Sequence, residues 1–120
     1  MSGKITNNYG ENPLKEKVLN DLTTREETAH ERVLEKQQQY NVAMKKLNIF
    51  QEKKYYAEKK ARPINGKENS WDKAQYNEIA SQAFGCEVDA DVLRGSLQSN
   101  LSYYSKTSQS VFMANAMLGS

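Results

Sequence analysis

The chain has 120 residues, of which 38% are hydrophobic and 27% charged, and its formal net charge is +2. This length argues against two independent domains, and the apolar share lies below the roughly 45–50% of a typical globular protein. We therefore expect a thin core, built from helices that depend on one another or on a partner. The single cysteine, Cys86, excludes an intrachain disulfide.

Motifs of catalytic and metal sites do not occur in the sequence. His30 and Cys86 are the only histidine and cysteine, too few for a zinc site of the usual Cys/His type. A Ser–His–acid arrangement would have to use His30, which stands in a charged run typical of a solvated helix face. Neither the phosphate-binding patterns GxGxxG and GxxxxGK[ST] nor the zinc-binding pattern HExxH is present. We expect no enzymatic activity, no catalytic residue, no metal and no cofactor.

Targeting signals are also not evident. The opening segment MSGKITNNYGENP is polar and lacks the apolar core of a cleaved secretory signal. The longest apolar-biased stretch, 111–118, is far shorter than the roughly 20 residues that span a bilayer. We expect no transmembrane segment and a protein made soluble in the cytoplasm. Incorporation into a virion, or export without a cleaved signal, stays open.

The first predicted elements are a flexible arm over residues 1–11 and a long helix over 13–61. Asn12 can cap this helix, and Pro13 suits its first turn. From Leu14 to Ala61 the chain has no glycine or proline and is rich in helix formers. Nine of twelve positions at alternating spacings of three and four residues are apolar: 19, 22, 26, 29, 33, 36, 40, 43, 47, 50, 54 and 57. Such an amphipathic helix must pack along another long helix, in this chain or in a partner.

The second half of the chain predicts a linker over 62–70 and two shorter helices. Pro63 and the pair Asn65-Gly66 favour a turn. Ser70 is the expected cap of a helix over 71–84, with Gly85 as its stop. The apolar face expected for this helix is Trp71, Ala74, Ile79, Ala80, Ala83 and Phe84. Asp89 is the expected cap of a helix over 90–117, whose seam reads Ala90, Leu93, Leu97, Leu101, Tyr104, Val111 and Leu118.

Together these elements predict an all-α fold. One long amphipathic helix is followed by a turn and two shorter helices, which fold back as an elongated helical hairpin or bundle. Residues 12–120 would form a single helical domain.

The C-terminal helix points to protein contacts. Between Gly95 and Ser120 the only charged side chain is Lys106, whereas solvent-exposed helices usually carry charges on their outer face. We expect this helix to be surrounded by protein, either within the chain or between chains. The candidate interface residues are Leu22, Val33, Tyr40, Leu47, Phe50, Leu97, Leu101, Tyr104, Val111, Phe112 and Leu118.

A basic cluster lies at the end of the long helix. Its candidate nucleic-acid contacts are Lys45, Lys46, Lys53, Lys54, Tyr55, Lys59, Lys60 and Arg62. Lysines can contact phosphates and tyrosines can stack on bases. The overall pI of about 8.6 is below the values above 9 that make the electrostatic case strong. Residues 77–97 also loosely resemble a helix-turn-helix, but the second helix would open with Glu87, Asp89 and Asp91, which repel phosphates.

A local resemblance bears on the C-terminal helix. The stretch Gln98-Ser99-Asn100-Leu101-Ser102-Tyr103-Tyr104 resembles the polymerising C-terminal helix of type III secretion needle and inner-rod subunits. This resemblance implies an exported helical hairpin that packs into a tube, although the long basic N-terminal helix departs from those short subunits. Small virion proteins of tailed phages share the same general pattern.

The sequence as a whole favours a non-enzymatic structural or assembly protein. It would act through helix–helix contacts in a homo- or hetero-oligomer, such as part of a virion or a secretion apparatus. The alternative is a nucleic-acid-associated protein that uses the basic helical face 45–62.

Overall fold

The computed structural model of the chain describes residues 13–64, 66–67 and 69–118. Two helices of 49 residues each make up most of it: α1, Pro13–Ala61, and α2, Ser70–Leu118. Within these ranges no strand forms, apart from an isolated bridge between Ile64 and Lys67. The all-α prediction is confirmed, while the arm expected over 1–11 lies outside the described residues.

The expected division of the second half into two helices is wrong. Helix α2 runs without interruption through Gly85 and Asp89, so neither the stop at Gly85 nor the cap at Asp89 forms. A helical glycine costs about 1 kcal/mol relative to alanine. Ala83 before Gly85, and Cys86 and Ala90 after it, are buried. Their packing stabilises the helical conformation through the glycine. The same continuity removes the turn that a helix-turn-helix over 77–97 would need.

The residues turned away from solvent follow a heptad pattern in both helices. In α1 all twelve positions of the expected stripe, from Leu19 to Ala57, are buried or half-buried. In α2 the corresponding positions are 72, 76, 79, 83, 86, 90, 93, 97, 100, 104, 107, 111, 114 and 118. Alternating spacings of three and four residues are the pattern of coiled-coil packing.

The α2 stripe departs from the predicted seam at several places. Asn100 and Thr107 lie on it, whereas Leu101 is 45% exposed. Trp71 and Phe84, expected on the apolar face, are 70% and 66% exposed. The reason is the uninterrupted register, because a helix whose stripe passes through positions 72, 83 and 86 turns Trp71 and Phe84 outward.

The chain divides into two compact units. We call Met1–Glu35 with Gln98–Ser120 the terminal unit, and Lys36–Leu97 the hairpin unit. In the terminal unit the buried residues are Ala29, Val33 and Thr107. The Thr107 hydroxyl donates to the Tyr103 carbonyl at 2.9 Å, so its burial leaves no unsatisfied donor.

Polar contacts also join the two helices of the terminal unit. The Ser108 hydroxyl donates to the Glu26 carboxylate at 2.5 Å. The rings of His30 and Tyr104 lie 5.2 Å apart between centroids. Glu26 and Tyr104 are stripe positions, so the seam of this helix pair includes polar contacts as well as apolar ones.

In the hairpin unit a short connection reverses the chain. Ile64 and Lys67 exchange two backbone hydrogen bonds of 3.1 Å, and Gly66 has a φ of 77°, a conformation that favours glycine. The side-chain oxygen of Asn69 accepts from the N–H groups of Trp71 at 3.0 Å and Asp72 at 3.2 Å. Asn69, rather than Ser70, therefore caps α2.

Candidate protein-binding surfaces

Among the surface depressions in the described part of the hairpin unit are two open grooves between its helices. One, of about 330 Å³, is lined by Gln39, Val42, Ala43, Lys46, Cys86, Asp89, Val92 and Leu93. The other, of about 240 Å³, is lined by Lys53, Tyr56, Ala57, Lys60, Asp72, Gln75 and Ile79. The numbering rises along α1 while it falls along α2, as expected for an antiparallel pair.

These two grooves lie on the same side of the hairpin unit. Each α1 residue of the first groove has a counterpart in the second groove fourteen residues later, such as Val42 and Tyr56. On α2 the same interval separates Asp72, Gln75 and Ile79 of the second groove from Cys86, Asp89 and Leu93 of the first. Fourteen residues are two heptads, which return to the same helix face in a coiled coil. We call this side of Lys36–Leu97 the groove face.

Apolar side chains stand at the edges of the groove face. On α1, Val42, Ile49 and Tyr56 recur every seven residues and are 62%, 55% and 58% exposed. On α2, Val92 is 65% exposed. The deeper lining includes Cys86, which is buried, and Leu93, which is half-buried. The groove face therefore combines an apolar floor with solvent-exposed apolar side chains at its edges.

Charge is divided between the two helices of the hairpin unit. Within 36–61, seven lysines stand against two glutamates, whereas within 70–97 five acidic residues stand against two basic ones. Lys46 and Asp89 both line the first groove, and Lys60 and Asp72 both line the second. The α1 wall of the groove face is basic and the α2 wall acidic.

The terminal unit has exposed apolar residues of its own. Phe112, Met113 and Met117 are 72%, 54% and 76% exposed, and Leu14 is 71% exposed. Val111 and Leu118, by contrast, are half-buried on the α2 stripe. The end of α2 thus has apolar side chains both on the packed stripe and outside it.

The candidate interface residues from the sequence fall into two groups. Val33 is buried, and eight others are half-buried on the helix stripes: Leu22, Tyr40, Leu47, Phe50, Leu97, Tyr104, Val111 and Leu118. Leu101 and Phe112 are exposed. Most of the candidates therefore lie where the helices meet within a unit, and only Leu101 and Phe112 are largely free for another chain.

The groove face is the part that sequence reasoning missed. The predicted seam of α1 follows the strongest apolar repeat, which passes through Leu47 and Phe50. A weaker repeat at Val42, Ile49 and Tyr56, also spaced by seven residues, was present in the sequence. That signal could have identified the exposed edge of α1.

The basic cluster is mostly exposed. Lys45, Lys46, Lys53, Lys59, Lys60 and Arg62 all face solvent, but Lys54 is half-buried on the α1 stripe. The Nζ of Lys59 lies 4.5 Å from the centroid of the Tyr55 ring, and the Tyr55 and Tyr56 rings meet edge to face at 5.4 Å. Tyr55 is 52% exposed, so one side of this aromatic pair is accessible.

In residues 13–64, 66–67 and 69–118, no group of three or more His, Cys, Asp or Glu side chains is placed to hold a metal ion. Neither helix, over the residues described, contains a stretch long and apolar enough to cross a membrane.

Comparisons with known proteins identify no relative. No protein-family model, no curated protein and no solved structure matches the chain.

Proposed function

We propose that this protein is a non-enzymatic structural or assembly subunit that acts through helix–helix contacts in a multi-subunit complex, such as a virion or a secretion apparatus. The observation that carries this proposal is the placement of large apolar side chains outside the helix stripes. They occur in both units, among them Val92 at 65% exposed and Met117 at 76%.

The buried residues explain why these exposed side chains matter. Of the residues described, those that are buried are Ala29, Val33, Ala83, Cys86, Ala90 and Thr107, none of them larger than valine. Burying a large apolar side chain stabilises by roughly 1.5–3 kcal/mol. Monomeric soluble proteins rarely expose contiguous apolar patches larger than a few hundred Å². A second layer of helices would bury side chains that a pair of helices leaves in water.

The mass of the purified full chain, measured over a range of protein concentrations at low and high salt, tests this proposal. We expect a mass above the 13.7 kDa of one chain that increases with concentration and changes little with salt, because apolar packing persists at high ionic strength. A chain that stays at the mass of a monomer at every concentration and at both salts would overturn self-assembly.

The alternative function is association with nucleic acid. The accessible Tyr55–Tyr56 pair, with Lys59 over one ring, supports it, because stacking and phosphate contacts act together in single-strand binding. Lys45 and Lys59 are exposed and do not line the groove face. Replacing both with glutamine should therefore leave assembly unchanged.

Filter binding of a single-stranded oligonucleotide at several salt concentrations tests this alternative. If the basic cluster binds phosphates, the Lys45→Gln/Lys59→Gln variant should lose affinity, and its salt slope should flatten by about 0.7 per lost contact. Equal slopes for the variant and the natural chain would count against the alternative.

A further inference from the structure

We propose that the groove face of the hairpin unit binds a second copy of this chain, with the α1 segment of each copy lying on the α2 segment of the other. The result is a symmetric four-helix arrangement. This inference rests on the proposed assembly function and identifies its first partner.

The shape of the groove face favours helices as its occupant. The two grooves repeat at an interval of two heptads, so they can accept side chains that themselves recur in heptads. The exposed edge of α1 provides such a series, since Val42, Ile49 and Tyr56 are seven residues apart. The same chain thus carries both the grooves and a matching series of side chains, which an isologous interface requires.

Charge determines the orientation of the second copy. Two hairpins packed face to face can be related by a two-fold axis parallel to the helices or by one that runs across them. The axis across the helices would place α1 on α1, with the groove-face lysines Lys46, Lys53 and Lys60 of each copy against those of the other. The parallel axis places the basic α1 wall on the acidic α2 wall twice. Since opposed potentials select orientation in interfaces, the parallel axis is favoured.

This symmetry also fixes the register. A two-fold axis parallel to the helices leaves every residue at its own height along the bundle. Val42 and Val92 line the same groove and so lie at a similar height. Val42 of one copy should therefore contact Val92 of the second copy, and the reciprocal contact should form as well. Val42 should lie far from Val42 of the second copy.

Disulfide trapping in the full chain tests this geometry. In a Cys86→Ala background, the variants Val42→Cys and Val92→Cys are purified separately, mixed, and exposed to oxidised glutathione. We expect the mixture to give a covalent species of twice the 13.7 kDa chain mass, and each variant alone to give little of it. Ile49→Cys, on the same exposed edge, is the matched control. In the α1-on-α1 arrangement, position 49 of one chain would lie near position 49 of the other, because both stand near the middle of the 36–61 segment. In the proposed arrangement this variant alone should give little covalent dimer.

Each outcome separates this inference from the proposed function. Trapping in the Val42→Cys and Val92→Cys mixture supports both. An assembled chain that forms no such species, or that traps instead through Ile49→Cys alone, overturns the dimer geometry and leaves the assembly function standing. A chain that is monomeric in the mass measurement and traps in neither case overturns the dimer geometry and, with it, assembly of this chain with itself.

Charge exchange provides an independent measurement that does not use cysteine. The variant Lys46→Glu/Lys60→Glu and the variant Asp72→Lys/Asp89→Lys should each weaken dimerisation by at least about tenfold, because each places like charges on both walls. Mixing them should restore the dimer, since both interfaces then pair opposite charges. Circular dichroism of each variant shows whether it still folds. Two folded variants that dimerise as well as the natural chain would overturn the inference.

Discussion

Small side chains at the centre of the helix pairs are the clearest feature at the scale of single residues. Ala29 in the terminal unit and Ala83 in the hairpin unit are only 2% and 1% exposed. Close-packed interiors respond even to one added methylene group. The small side chain is therefore required at these positions, whereas the same residue type on the outside of a helix is replaceable.

The substitution Ala83→Leu should destabilise the protein by about 1–3 kcal/mol, because the larger side chain must displace its neighbours at a packed site. Ala74→Leu is the matched control, since Ala74 lies in the same helix but is exposed, and surface changes usually stay within about 0.5 kcal/mol. Urea unfolding at fixed protein concentration, followed by circular dichroism, measures both. Equal unfolding midpoints for the two variants would contradict the packing described for Ala83.

At the scale of helices, long-range packing overrides local signals in α2. Gly85 favours a helix end and Asp89 a helix start, so the local sequence predicts a break between them. The heptad positions from Asp72 to Leu118 show no interruption, and that pattern was available in the sequence.

In α1 no local signal competed with the stripe, so its bounds could be predicted from Pro13 and Pro63. The cap of α2 was misplaced by one residue, because Asn69 and Ser70 are both good caps.

Glycine-to-alanine substitutions distinguish a continuous α2 from a broken one. Gly85 lies within the helix and an added Cβ would meet nothing within 4 Å, so Gly85→Ala should stabilise the protein by about 0.5–1 kcal/mol. At a left-handed helix stop the same change would be destabilising. Gly66→Ala serves as the comparison: with φ at 77°, it should lose about 1 kcal/mol or more. Thermal unfolding should shift upward for the first variant and downward for the second.

The substitution Leu47→Pro tests the continuity of α1. Proline within a helix removes a backbone hydrogen bond and clashes with the preceding turn, at a cost of about 3 kcal/mol or more. Leu47 also lies half-buried on the α1 stripe, so packing of the hairpin unit should fail as well. We expect a large loss of the helical circular dichroism signal and of assembly. Leu47→Met, which nearly conserves volume, should keep both; an unchanged signal for the proline variant would contradict a single helix over Pro13–Ala61.

At the scale of the whole molecule, the sequence could predict that the long helices need protein to cover them, within the chain or between chains, but not which side chains the fold leaves exposed. Two facts led to that expectation: a helix over 13–61 is too long for the rest of the chain to enclose, and the region after Gly95 has Lys106 as its one charge. The location depends on register. Val111 lies on the stripe, whereas its neighbour Phe112 is exposed. Apolar residues alone do not fix the helix register to within one position.

The end of α2 provides a test of which apolar residues bind another chain and which hold the terminal unit together. The variant Phe112→Ser/Met117→Ser changes two exposed side chains, whereas Val111→Ser/Leu118→Ser changes two that are half-buried. If Phe112 and Met117 contact another chain, the first variant should lose assembly while its amide hydrogens over 98–110 stay protected at the same protein concentration. The second variant should lose that protection, because Val111 and Leu118 each contribute part of the roughly 1.5–3 kcal/mol that full burial of a large apolar side chain provides.

Hydrogen exchange followed by mass spectrometry, together with the mass in solution, separates these two effects in the full chain. Each variant carries two serine substitutions within residues 111–118, so the two variants have similar helix propensity. The comparison therefore isolates the side of the helix on which the side chains lie. If both variants assemble and exchange like the natural chain, Phe112 and Met117 contribute nothing to assembly. The contacts between chains must then lie elsewhere, with the groove face among the exposed apolar surfaces left to form them.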